Sequence, residues 1–74
     1  MNMFITIHDR KEDRDLNTDI TTVESFYSAL VTDVDKSKHI CIVYIMRNGI
    51  RIEEEFDSDS DRQIKLDELN SYLA

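Results

Sequence analysis

Between Glu53 and Asp61 the chain places six carboxylates in nine residues: Glu53, Glu54, Glu55, Asp57, Asp59 and Asp61. No basic residue interrupts them before Arg62. Carboxylates at this density can hold a cation, meet a basic surface, or cap and solvate a helix. General acid catalysis asks for a sheltered environment that raises a carboxyl pKa, and nothing around the run supplies one. The only glycine, Gly49, belongs to a turn signal, so there is no glycine-rich phosphate loop. Cys41 and His39 stand two apart and share a strand face, but Cys41 falls among core positions and reads as a buried thiol. His8 and His39 lack the paired spacing of a zinc site and read as surface or strand-end residues. The missing sets argue against an enzyme, and no cofactor is implied.

The stretch from Asp57 to Glu68 looks like an EF-hand calcium loop, with Asp57, Asp59 and Asp61 at positions one, three and five, Ile64 at eight and Glu68 at twelve. Asp13, Asp15, Asn17, Ile20 and Glu24 make a second, looser match. Position six, where glycine permits the sharp turn, is Arg62 in one loop and Thr18 in the other. An EF-hand also needs a helix leading into each loop, whereas the residues before Asp57 have strand character. Helix capping is the preferred reading of this spacing, and calcium binding by Asp57, Asp59, Asp61 and Glu68 is the alternative.

Met3 to Ile7 alternates, with Met3, Ile5 and Ile7 on one side, and predicts a strand. Asp9 to Asn17 is polar and reads as an exposed loop. From a cap at Thr18 or Asp19, the residues Ile20, Val23, Phe26, Tyr27, Leu30, Val31 and Val34 recur at spacings of three and four, which predicts an amphipathic helix. Residues 40–56 carry β-branched and aromatic residues around Asn48-Gly49, the pair suited to a type I′ turn, and predict a hairpin. That turn sets Ile45 opposite Ile52, Val43 opposite Glu54 and Cys41 opposite Phe56. Cys41, Val43, Ile45, Ile50, Ile52 and Phe56 then form the core face. The other face carries Ile42, Tyr44 and Met46 against Glu55, Glu53 and Arg51. A last helix should run from about Ser60 to the C-terminus, with Ile64, Leu69, Tyr72 and Leu73 as its apolar stripe. The expected fold is a small two-layer α+β domain of order β-α-β-β-α, a three-stranded sheet with two helices on one face, formed by residues 1–74 as a single domain.

Nine basic against 16 acidic residues give a formal net charge of −7 over 74 residues. That charge repels phosphates and anionic lipid and favours a basic protein surface, so direct nucleic-acid binding is not expected. The longest apolar run, Ile40 to Met46, falls far short of the roughly 20 residues a membrane helix requires. One cysteine and the lack of a signal-peptide pattern lead to the expectation of a cytoplasmic protein. In size, charge and class the chain resembles the small inhibitors that phages and mobile elements use against host defence, including anti-CRISPR and DNA-mimic anti-restriction proteins. The likeness extends over the whole chain and carries no shared motif. It implies an inhibitor or adaptor that occupies the basic, nucleic-acid-binding surface of a partner protein. Glu53, Glu54, Glu55, Asp57, Asp59 and Asp61 would stand in for phosphates, beside Tyr44 and Met46 as apolar anchors. A calcium-binding module using the 57–68 loop and a structural subunit that forms a homodimer are the alternatives.

Overall fold

The computed structural model describes residues 3–73, without the side chain of Leu73. In chain order they form β1 (Phe4–Asp9), β2 (Arg14–Asp19), a 3-10 turn (Ile20–Thr22), β3 (Val23–Thr32), β4 (Lys38–Met46), β5 (Arg51–Phe56) and α1 (Asp59–Leu73). The fold mixes helix and strand as expected, but the expected β-α-β-β-α order is wrong. Five strands make two sheets, β1-β2 and β3-β4-β5, and α1 is the one α-helix among the described residues.

The largest correction lies at residues 18–34, where an extended strand replaces the expected helix. Apolar residues at spacings of three and four also fit a strand that buries some of both faces. Phe26, Ser28 and Leu30 take one side of β3, and Tyr27, Ala29 and Val31 take the other. Long-range pairing settles the choice. In β4, Cys41, Ile42, Val43 and Tyr44 are all fully buried, as only a central strand allows, and such a strand needs a neighbour on each edge. β5 covers one edge, and the β-branched and aromatic residues of β3 pair antiparallel along the other, from Ser25 opposite Ile45 to Thr32 opposite Lys38.

The expected exposed loop 9–17 is instead the end of β1, a four-residue turn and the first four residues of a second strand. β1 and β2 pair from Phe4 opposite Asp19 to Asp9 opposite Arg14, around a tight turn with Asp13 at φ 50°. Polarity hid β2, which turns only Leu16 and Thr18 toward the protein interior. The ribbon is fastened to β5 where the Arg10 N–H donates to the Glu53 carbonyl at 3.0 Å.

The 40–56 hairpin is present with a register one residue away from the expected one. Asn48 does not take a positive φ; Gly49 alone does, at 90°. The Gly49 N–H donates to the Met46 carbonyl at 2.9 Å and the Met46 N–H to the Ile50 carbonyl at 2.8 Å, which closes a three-residue loop with glycine in the left-handed position. Ile45 therefore faces Arg51, Tyr44 faces Ile52, Ile42 faces Glu54 and Ile40 faces Phe56. A shift of one residue exchanges faces. The main core uses Ile42, Tyr44 and Met46 with Ile52, joined by Ile5, Ile7, Ile20, Val23 and Leu69. Ile50, expected inside, is exposed. On α1 the inward residues are Leu66, Leu69 and Tyr72, while Ile64, expected in the stripe, is 68% exposed. No helix of the described residues is long and apolar enough to cross a membrane.

Candidate functional site

The acidic run is taken apart by the pleat of β5, which sends Glu53 and Glu55 to one face and Glu54 to the other. Glu53 is buried and receives Arg10 at 3.0 Å, Arg51 at 3.1 Å and Lys11 at 3.8 Å. Glu55 accepts from His39 and lies 3.7 Å from the Arg10 Nε. Arg10 also donates to Asp33 at 2.8 Å, and His39 approaches the same carboxylate at 3.0 Å. Because Glu53 and Glu55 stand opposite Val43 and Cys41, this network forms over the two buried residues. The hydrogen bond from Arg10 holds the Asp33 carboxyl below its ordinary pKa, and the same bond raises that of the guanidinium. Burial pushes the Cys41 thiol up, away from the thiolate a nucleophile requires.

On the helix-facing side, Glu54 is buried between β5, β1 and α1. It accepts from the Tyr44 hydroxyl at 2.7 Å and from the His8 N–H at 3.0 Å, with the Lys65 ammonium 3.9 Å away. Tyr44 is fully buried and Met46 is 8% exposed, so neither is a surface anchor. Two of the six expected phosphate surrogates, Glu53 and Glu54, are likewise withdrawn into internal pairs. His8 stays at the surface, where Asp15 at 2.7 Å and Asp13 at 3.2 Å hold its pKa above the ordinary value.

Glu55 stays exposed on β5 within its pairs to His39 and Arg10, and the other carboxylates of the run that remain outside belong to α1 and the turn before it. The Ser58 hydroxyl accepts from the Asp61 N–H at 3.2 Å and caps the helix. Asp57, Asp59 and Asp61 are exposed around that end, where negative charge suits the helix dipole. Both cations of the helix turn inward. Arg62 reaches Asp59 at 3.0 Å and the carbonyls of Ala29 and Cys41 at 3.3 and 3.4 Å. Lys65 donates to the Thr6 carbonyl at 2.6 Å. The outward stripe is left with Asp61, Ile64, Asp67 and Glu68, residues three and four apart on one helical face. The sequence reading turned Ile64 inward and did not single out Asp67. Leu66, Leu69 and Tyr72 offer a second apolar stripe with the same period, and choosing it would have turned Ile64 out.

The calcium alternative loses its loop, because α1 starts at Asp59 and carries Asp59, Asp61 and Glu68 on a rigid rod. Nine residues of helix put Asp59 and Glu68 roughly 13 Å apart along the axis. Among the described residues, no group of three or more His, Cys, Asp or Glu could hold a metal ion. No family model, curated protein or solved structure matches this chain.

Proposed function

We propose that this protein is a small acidic binding module, an inhibitor or adaptor that occupies the basic, nucleic-acid-binding surface of a partner protein. Its contact surface is the outward face of α1 with the preceding turn: Asp57, Asp59, Asp61, Asp67 and Glu68 around Ile64. The observation that carries this reading is the inward turn of Arg62 and Lys65. Their removal from the outer face leaves carboxylates around one large exposed apolar side chain. Carboxylates at the rim steer a basic partner and make the encounter salt-dependent, and an apolar residue at the centre contributes the desolvated contact. The role is one of binding, with no chemical step.

The test begins with affinity capture of a partner from the native cell, followed by measured affinity for the purified partner. Reversal of three charges in Asp57→Lys, Asp61→Lys and Glu68→Lys together should weaken binding by about 100-fold or more at low salt, with the fold retained. Duplex DNA should compete with the wild-type protein for the partner. Unchanged affinity in the triple variant, or simultaneous binding of DNA and protein, would reject the proposal.

A further inference from the structure

The three-stranded sheet has two outer edges, and only one is covered. The β1-β2 ribbon lies along β5, joined through Arg10 and Glu53, whereas no strand of the described residues pairs with the outer edge of β3. Natural edges are guarded by charge, proline or short length. The free edge of the ribbon, β2, follows that rule with Arg14, Asp15 and Asp19. β3 does not: it runs ten residues, Val-Glu-Ser-Phe-Tyr-Ser-Ala-Leu-Val-Thr, with Glu24 as its single charge and no proline. Tyr27 and Leu30 on it are 46% and 59% exposed.

We infer that β3 pairs antiparallel with β3 of a second copy of this chain, joining two three-stranded sheets into one of six strands. The hydrogen-bond alternation fixes which residues can take part. The Asp33 N–H donates to the Ser37 carbonyl at 2.9 Å, and Thr32 stands opposite Lys38. In an antiparallel ladder the bonding residues alternate, so Val31, Ala29 and Tyr27 bond to β4. The backbone groups of Thr32, Leu30, Ser28 and Phe26 then point to the open edge. A two-fold axis through Ser28 uses those groups and keeps nearly the whole strand paired.

In that register Ser28 faces Ser28, Phe26 faces Leu30 and Tyr27 faces Ala29 of the second copy. Residues opposite one another across neighbouring strands share a face, so Tyr44, Phe26, the second copy's Leu30 and its Ile40 form one apolar row. A groove of about 400 Å³ beside β3, lined by Ser28, Ala29, Leu30, Ile40, Asp59 and Arg62, lies where the incoming Phe26 would rest. Charge also favours a second copy as the occupant. Glu24, at the bulge that opens β3, comes to the row of Thr32 and Lys38 in the other chain, with Lys36 in the adjoining loop. The axis repeats this pairing at both ends. Within β3 itself no two charged residues stand opposite one another across the seam, although each chain carries −7 overall. α1 packs mainly on β4 and β5, and only Asp59 and Arg62 at its start reach the groove beside β3, so Asp61, Ile64, Asp67 and Glu68 of the proposed binding face do not line it.

Sedimentation velocity from low micromolar to near-millimolar protein tests the contact, with twice the chain mass expected at the upper end. Ser28→Pro removes an N–H directed at the open edge and spares the β3-β4 ladder, so it should yield a folded monomer. If that variant fails to fold, Leu30→Lys, which sets a charge on the seam, should give the monomer instead. Register is read by oxidation. Facing Ser28 residues have Cα atoms about 5.5 Å apart, within the roughly 4.4–6.8 Å of a disulfide. Ser28→Cys should therefore form a covalent dimer. Leu30→Cys should not, its two copies being offset by about 14 Å along the strands. A wild-type monomer at every concentration, a dimer that survives Leu30→Lys, or equal cross-linking of both cysteine variants would overturn the inference.

Discussion

The hydroxyl of Tyr44 donates to Glu54 at 2.7 Å across a β4-β5 diagonal, joining two side chains that are both withdrawn from water. The diagonal arises from the register set at Gly49, which places Ile42 opposite Glu54 and Tyr44 opposite Ile52. Glu54 therefore enters the layer under α1 with its oxygens already satisfied by Tyr44 and by the His8 N–H. No buried side-chain nitrogen or oxygen of the described residues lacks a hydrogen-bond partner.

Tyr44→Phe keeps the ring and deletes the donor to a buried carboxylate. The expected loss is about 1.5–3 kcal/mol, the range for hydrogen bonds to charged groups. Urea unfolding monitored by circular dichroism reads the change, with an unaltered slope indicating that the fold is kept. A loss near zero would mean that Glu54 does not depend on this bond.

The same pair predicts alkaline instability. Burial first, and then the bond to Glu54, raise the Tyr44 pKa above its ordinary value of 10.0. The unfolded chain releases this proton near pH 10.0 while the folded chain retains it. The stabilisation is thus complete below that pH and declines as pH rises through and beyond it. The midpoint of thermal unfolding should fall above pH 10, and phenolate absorbance from Tyr44 should appear together with unfolding. In Tyr44→Phe this contribution to the pH dependence should vanish.

Arg10 ties the ribbon to the sheet through Glu53, Glu55 and Asp33. Arg10→Met leaves the Glu53 carboxylate buried with only Lys11 and Arg51, and should cost about 3 kcal/mol, the lower part of the range for a broken buried pair. The double variant Arg10→Met, Glu53→Met removes both charges and should be more stable than the single one. Chemical denaturation of the set checks the order. A double variant weaker than Arg10→Met would refute the coupling.

Gly49 sits at φ 90°, and a Cβ added there would meet nothing within 4 Å. The cost of Gly49→Ala is therefore conformational, about 1–2 kcal/mol. Asn, which tolerates the left-handed region better, should cost less than Ala at this position. Thermal unfolding of the two variants reads the difference, and equal losses would argue that the loop opens instead.

Several elements were legible because short-range signals agreed with one another. Ile5 and Ile7 alternate and both are buried in β1, the Asn48-Gly49 pair marks a reversal between strands, and the acidic, serine-containing run before Arg62 starts a helix. The candidate site was legible in composition and only in part by residue. Asp57, Asp59 and Asp61 remain outside, as a charged run at a helix start tends to; Glu53 and Glu54, expected at a partner surface, are buried in internal pairs, and Tyr44 and Met46 were assigned to the wrong side of the sheet. One choice of turn made that difference. Asn-Gly fits both a two-residue and a three-residue loop, and these differ by one residue of register, which exchanges every side chain of a strand between its two faces.

The sequence by itself determined the excess of carboxylates and the places where the chain must reverse or begin a helix, because each depends on residue type and close neighbours. Tertiary structure alone decided that residues 23–32 are a strand, since their spacing also suits a helix and the buried edge of β4, distant in sequence, is what favours pairing. It likewise decided which acids are free to meet a partner. Ion pairs such as Arg10 with Glu53 and Lys65 with Glu54 link positions more than 10 residues apart, and no local pattern fixes which carboxylate a distant cation will neutralise.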